Sequence, residues 1–131
     1  MSFLNTLDIG SNQLTGEVSS EIKYMTNLKE LYLDENSFEG SIPDDIGKLT
    51  NLQYLYMHRN KLEGTIPTSM GHLTKLEEML IYGNFLSGDM PESVCDIVKS
   101  TDDSSIGNLR KLESDCAENL TCRADCCTRC F

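Results

Sequence analysis

The amino-acid sequence predicts an α/β repeat solenoid: a short right-handed horseshoe with a parallel concave β-sheet, turns or short helices on its convex side, and a disulfide-rich C-terminal cap. Three observations support this prediction. A pattern of 24 residues recurs four times without insertion or deletion, and every copy contains a short strand-like alternation of apolar and polar residues. In addition, none of the six cysteines precedes Cys95.

The four repeats occupy residues 3–26, 27–50, 51–74 and 75–98, and their apolar residues stay in phase. The clearest columns are Leu4, Leu28, Leu52 and Leu76; Leu7, Leu31, Leu55 and Met79; and Ile9, Leu33, Met57 and Ile81. We therefore expect four repeats in residues 1–98, followed by a degenerate fifth repeat and a cysteine-rich cap in residues 99–131.

Each repeat begins with a short strand that has one buried face. In the second repeat, Leu31 and Leu33 alternate with Glu30, Tyr32 and Asp34, so the leucines point to one side and the other residues to the opposite side. Strands that recur at this period must be parallel, and each needs its neighbours to bury its leucines. The polar and aromatic side of the sheet therefore faces outward.

An asparagine and a glycine follow the strand in every repeat. We expect the asparagines to form a structural ladder, because an unpaired buried amide costs about 1–3 kcal/mol; the ladder residues are Asn12, Asn36, Asn60 and Asn84. The glycines suit a positive φ or a close backbone approach. Pro43, Pro67 and Pro91 come next, and they predict an extended turn that leads to a single helical turn on the convex side.

The repeats resemble the leucine-rich repeat family, specifically its plant-type 24-residue variant with an L-x-G-x-I-P segment. Residues 62–67 read LEGTIP, and the resemblance covers residues 3–98. It implies a leucine-rich repeat horseshoe. It also implies a recognition function, as in receptor-like and inhibitor-type members of the family that bind peptides, glycans or cell-wall proteins.

The repeat pattern loosens after residue 98. Residues 108–114 (NLRKLES) predict one more strand, with Leu109 and Leu112 in the leucine columns. The polar residues 100–105 would form an exposed loop that accommodates the longer spacing.

The cysteines are Cys95, Cys116, Cys122, Cys126, Cys127 and Cys130. An even number at the end of a repeat array predicts disulfide bonds that hold a cap together, each worth about 2–4 kcal/mol. Sequence alone does not choose among the fifteen possible pairings. Zinc bound by the last four cysteines is the alternative, but C-x3-C-C-x2-C is not a standard finger pattern and the tail has no histidine. We therefore expect neither a metal nor a cofactor.

Residues 109–131 also resemble the C-terminal caps of extracellular leucine-rich repeat proteins from diatoms and related algae. Asn119 begins a glycosylation sequon in the same segment. Oxidised cysteines and a sequon both predict an extracellular or cell-surface protein. The chain enters a repeat directly at Phe3, without a leader or an N-terminal cap, so we expect it to be part of a longer secreted protein.

Composition argues against several functions. Eleven Lys and Arg against 21 Asp and Glu give a net charge of −10, which argues against a nucleic acid partner. No apolar run approaches the ~20 residues of a membrane-spanning helix, so we expect no membrane anchor in this chain.

We also expect no catalytic site. His58 faces outward between Asp34 and Tyr82, but no serine or free cysteine lies within reach as a nucleophile. The chain has no HExxH, GxSxG or glycine-rich phosphate loop. The aspartate pairs at 44–45 and 102–103 lack the interleaved spacing of a calcium loop.

The outward side of the concave sheet is the predicted binding face. It holds four of the five tyrosines, and aromatic rings bury a large area at little conformational cost. The candidate ligand contacts are Tyr32, Asp34, Tyr54, Tyr56, His58, Arg59 and Tyr82. Because Arg59 is the only basic residue among the outward positions of the four repeats, a basic peptide or a neutral glycan is favoured over a polyanion.

The predicted function is extracellular recognition of a peptide, glycan or protein. The alternative is a structural or adhesion role in a cell surface or wall, without a specific ligand. Five strands give a face of roughly 24 by 13 Å, which is smaller than the ~800 Å² per partner of a standard protein interface. The sequence therefore indicates a small ligand or additional repeats.

Overall fold

The computed structural model describes residues 3–98, 108–115, 120–122, 126–127 and 129–131, and its strands form parallel sheets. In chain order the strands are β1 (Thr6–Asp8), β2 (Thr15–Glu17), β3 (Glu30–Tyr32), β4 (Ser37–Ser41), β5 (Tyr54–Tyr56), β6 (Lys61–Gly64), β7 (Glu78–Leu80), β8 (Phe85–Leu86), β9 (Gly88–Asp89), β10 (Lys111–Ser114), β11 (Leu120–Thr121) and β12 (Arg129–Cys130). The opposite side carries 3₁₀ helices at Ser20–Tyr24, Asp44–Lys48 and Thr68–His72, and the short helix α1 (Glu92–Cys95).

The main sheet has the strand order β1-β3-β5-β7-β10-β12. Its first strands pair at the repeat period, so that Leu7 lies beside Leu31, Leu31 beside Leu55, and Leu55 beside Met79. Leu112 of β10 pairs with Met79, as the spacing of the leucine columns predicts. The predicted stack of parallel strands is therefore confirmed.

A second sheet has the strand order β2-β4-β6-β8. The sequence predicts only an extended turn in this part of each repeat. Its pairs are offset by 22 residues instead of 24, because Thr15 lies beside Ser37. The same offset joins the Leu14 N–H to the Asn36 side-chain oxygen, at 3.0 Å. Because these strands do not pair at the repeat period, the columns of the sequence do not reveal them.

The core lies between the main sheet and the helical turns. Leu31 and Leu55 of the sheet and Ile46 and Met70 of the turns are completely buried. The turns approach one another closely, since a Cβ atom at Gly47 would lie 2.4 Å from the Ser69 carbonyl oxygen.

Among the described residues, two disulfide bonds join the cap to itself and to the repeats. Cys95 at the end of α1 bonds to Cys126, and Cys122 bonds to Cys127. These bonds use the sulfur atoms of three of the four cysteines that the zinc alternative requires.

Some sequence predictions fall on residues outside those described. They are the loop at 100–105, Cys116, the side chain of Cys130 and the sequon residue Asn119. Within the described part of the chain, no helix has the length and apolar character needed to cross a bilayer.

Candidate ligand-binding face

Five aromatic side chains form a continuous row across the outward face of the main sheet. The ring centroids of Tyr32 and Tyr56 are 4.9 Å apart, and those of Tyr56 and His58 are 6.0 Å apart. The row continues from His58 to Tyr82 at 4.7 Å and from Tyr82 to Phe131 at 4.2 Å. We call these five residues the aromatic row.

The register of the main sheet explains the first part of this row. Tyr32 and Tyr56 are direct partners in adjacent strands, so their side chains stand side by side. Phe131 follows β12, which pairs with β10, and its N–H donates to the Ser114 carbonyl oxygen at 3.1 Å. The cap therefore supplies the last ring.

In each of the four repeats, the third residue after the end of the main-sheet strand has a positive φ. Gly83 adopts φ 68°, and Ser11, Glu35 and Arg59 adopt φ between 51° and 55° without being glycine. The side chains of these residues interact along the edge of the face. Glu35 accepts hydrogen bonds from Ser11 Oγ, at 3.0 Å, and from the Arg59 guanidinium.

Acidic side chains fix the tyrosine hydroxyls. Tyr56 donates to Glu78 Oε2 at 2.5 Å, and burial together with this carboxylate raises the pKa of Tyr56 far above its ordinary value. Tyr54 donates to Glu77 Oε2 at 3.5 Å, and the Glu77 charge raises the pKa of Tyr54. Both hydroxyls therefore remain protonated donors near neutral pH.

His58 is the most enclosed polar residue of the aromatic row, since it is only 9% exposed. Its Nε2 atom lies 3.9 Å from Asp34 Oδ2, and its buried Nδ1 atom has no hydrogen-bond partner among the described residues. Burial lowers the pKa of His58 below its ordinary value, although the nearby Asp34 carboxylate acts in the opposite direction. The imidazole is therefore neutral at pH 7.

The lowered pKa of His58 predicts how stability depends on pH. Because the pKa of His58 is lower in the folded protein than in the unfolded chain, the unfolded chain takes up a proton first as the pH falls. The free energy of unfolding should therefore decrease below the ordinary histidine pKa of ~6.5, and the decrease should end once the pH is below the pKa of His58 in the folded protein. Chemical denaturation of the wild type and of His58→Gln between pH 7.5 and 4.5 measures the effect. The wild type should lose more stability than His58→Gln.

His72→Gln is the matched control, because His72 lies on an exposed turn. It should keep the pH dependence of the wild type. If His58→Gln and the wild type lost equal stability on acidification, the account of His58 as a buried neutral imidazole would be wrong.

The structure brings five of the seven predicted contact residues together and leaves the other two apart. Tyr32, Asp34, Tyr56, His58 and Tyr82 lie together. Tyr54 stands at the other end of β5 beside Glu77, and Arg59 is paired with Glu35 at the edge of the face.

Sequence reasoning missed Phe131 on this face, and it placed Glu78 and Leu80 among the outward positions without proposing either as a ligand contact. Leu80 shares the column of Tyr56, yet it is only 6% exposed. The column identifies it as outward, and its burial shows that the aromatic side of the sheet is itself closely packed. No periodic signal points to Phe131, which lies beyond the repeats.

Comparisons with known proteins agree with this architecture. A sequence model described as leucine rich repeat matches residues 2–62 and 26–86. A search of curated proteins found no match.

Solved structures similar to this chain include ectodomains of plant receptor kinases. The leucine-rich repeat ectodomain of GASSHO1/SCHENGEN3 from Arabidopsis thaliana, solved in complex with CASPARIAN STRIP INTEGRITY FACTOR 2, is 30% identical with a TM-score of 0.75, covering 90% of this chain and 13% of that one. The Arabidopsis receptor kinase HAESA, solved with the peptide hormone IDA and the co-receptor SERK1, is 30% identical with a TM-score of 0.70, covering 92% of this chain and 18% of that one. The ectodomain of the receptor kinase SOBIR1 from Arabidopsis thaliana is 29% identical with a TM-score of 0.79, covering 92% of this chain and 61% of that one. This chain thus spans less than two thirds of each.

Proposed function

This chain belongs to the leucine-rich repeat family, and from that premise we propose that it is an extracellular recognition module that binds an extended peptide across the outward face of its main sheet. The aromatic row is the observation that carries the proposal. Clustered aromatic side chains on a rigid sheet supply large contact areas with little loss of conformational entropy. The disulfide bonds of the cap favour an oxidising, extracellular compartment.

The stacking around Tyr82 favours a peptide over a glycan at this part of the aromatic row. Tyr82 is stacked on His58 and on Phe131, each at an interplanar angle of 26°. Two rings cannot occupy one face, so both faces of Tyr82 are covered. A sugar that stacks on an aromatic ring needs an open face, whereas ring edges and hydroxyl groups suit the side chains and backbone of a peptide.

The size and charge of the face define the peptide further. Six strands at a spacing of ~4.8 Å span about 24 Å, which corresponds to about seven extended residues. Acidic residues dominate the part of the face formed by the repeats; they are Asp8, Glu30, Asp34 and Glu78. A neutral or basic peptide is therefore preferred over an acidic one. In the similar receptor kinase HAESA, the structure contains a peptide hormone.

The proposal is tested with panels of neutral, basic and acidic heptapeptides and of neutral oligosaccharides. Binding should be found among the neutral and basic peptides. Tyr82→Ala should weaken it at least about tenfold, since contacts at the centre of an interface dominate affinity. Tyr54→Ala should weaken it less, because Tyr54 lies outside the aromatic row.

Tyr24→Ala is the matched control, because Tyr24 is 65% exposed at the end of a 3₁₀ helix on the opposite side. It should leave affinity within about twofold of the wild type. Binding of oligosaccharides alone, or peptide binding that survives Tyr82→Ala, would contradict the proposal. If none of the probes bound, the structural or adhesion role would become the better account.

A further inference from the structure

The outward face contains a pocket beside the first ring of the aromatic row. Its volume is about 400 Å³, and it is lined by Asp8, Gly10, Ser11, Tyr32, Asp34 and Tyr56. The rings of Tyr32 and Tyr56 are inclined to each other by 58° instead of being stacked. Unlike Tyr82, the rings in this part of the row are therefore not covered on both faces by aromatic neighbours.

The carboxylate of Asp34 is the unusual group in this pocket. Its side chain is only 18% exposed, and it accepts no hydrogen bond from any of the residues that the structure describes. The nearest potential cation, His58 Nε2, is 3.9 Å away, and that imidazole is neutral at pH 7. This partly buried carboxylate therefore keeps acceptor capacity that a donor group entering the pocket can use.

The other charged groups nearby are already engaged. The Asp8 carboxylate accepts the Gly10 N–H at 3.1 Å. Arg59, the basic residue of the adjacent coil, is paired with Glu35. Neither of these contacts neutralises Asp34.

Gly10 provides the room for an incoming group. A Cβ atom at this position would lie 3.0 Å from Asp34 Oδ1, so even an alanine would crowd the carboxylate. A cation placed here would contact the carboxylate and also lie beside the two tyrosine rings that line the pocket, and the face of a tyrosine ring attracts positive charge. Shape, charge and ring orientation thus all suit one kind of ligand group.

We propose that this pocket binds the guanidinium or ammonium group of a basic side chain on the ligand. The inference rests on the proposed function, because it assigns a basic residue to the peptide that crosses the main sheet. The pocket then determines which peptides bind, and the aromatic row contributes affinity for the rest of the peptide.

The pocket can be tested without knowing the natural peptide. The probes are N-acetyl-arginine amide, N-acetyl-lysine amide and, as the neutral isostere of arginine, N-acetyl-citrulline amide. In ¹⁵N-resolved NMR titrations, arginine or lysine should shift the backbone amides of Gly10, Ser11 and Asp34, whereas citrulline should not. The relative size of the two responses shows whether guanidinium or ammonium is preferred.

Two variants and a control separate binding from folding. Asp34→Asn should weaken the response to the cationic probes at least tenfold, and Gly10→Ala should do the same by filling the space next to the carboxylate. Asp44→Asn is the control, because Asp44 is exposed on the opposite side of the solenoid. It should behave like the wild type.

The possible failures can be told apart. Equal shifts with citrulline, or an unchanged response of both Asp34→Asn and Gly10→Ala, would overturn the cation pocket. If heptapeptides bound in a Tyr82-dependent manner but were insensitive to Asp34→Asn, the pocket would be wrong and the proposed function would stand. If the cationic probes bound as expected while no heptapeptide bound, the pocket would stand and the peptide-recognition proposal would fall.

Discussion

Replacing Asn60 by alanine is expected to lower the free energy of unfolding by about 1–3 kcal/mol. Asn60 is only 7% exposed. Its side-chain oxygen accepts the Phe38 N–H at 3.0 Å, and its amide nitrogen donates to the carbonyl oxygens of Leu33, at 3.0 Å, and Met57, at 3.2 Å. The substitution leaves the buried Phe38 N–H unpaired, which costs about 1–3 kcal/mol, whereas the Leu33 and Met57 carbonyl oxygens still accept from the Asn36 and Asn84 side chains.

Asn12→Ala is the matched control for this experiment. Asn12 is exposed, and within the part of the chain that the structure describes it donates only to carbonyl oxygens of its own coil, those of Ile9 and Gly10. Its loss should cost less than about 1 kcal/mol, because water can replace these bonds. Urea denaturation measures both values. Equal losses at the two positions would contradict a ladder that joins neighbouring coils.

The contacts that recur from one repeat to the next could be predicted from the sequence. Leu31 and Leu55 occupy one column and are direct neighbours in the main sheet, because parallel strands at a constant period place equivalent residues side by side. Tyr32 and Tyr56 stand together for the same reason. The second sheet could not be found in this way, since its 22-residue offset pairs Gly40 with Leu62, which belong to different columns.

The remainder of the candidate site depends on contacts that do not repeat. Phe131 reaches Tyr82 only because β12 extends the main sheet. His58 was predicted to face outward, and its near-complete burial depends on the ring of Tyr56 in its own coil and the ring of Tyr82 in the next coil. Tyr54 was grouped with the other tyrosines because its side chain is also outward. It begins β5, however, whereas Tyr56 ends the same strand, so Tyr54 lies one strand length away from the aromatic row.

The cap gives the second large expected effect. Removing the Cys95–Cys126 bond with the double variant Cys95→Ala/Cys126→Ala should lower the free energy of unfolding by about 4 kcal/mol, because the bond closes a loop with a sequence separation of 31. The Cys122–Cys127 bond closes a separation of only 5. Its removal should cost about 2 kcal/mol, because a short loop restricts the unfolded chain less.

The variants Cys95→Ala/Cys126→Ala and Cys122→Ala/Cys127→Ala control for each other, since each removes one disulfide bond and two sulfur atoms from the same end of the solenoid. Urea denaturation without reductant gives the two losses of stability, and intact mass measured under the same conditions establishes that the wild-type cysteines are oxidised. The longer bond also ties α1 to the buried Cys126, which is 1% exposed and part of the core, so its loss should loosen the end of the solenoid. A larger loss for the Cys122–Cys127 variant would contradict the chain-entropy account. Free thiols with stoichiometric zinc in the wild type would instead support the metal alternative, and they would place the protein in a reducing compartment.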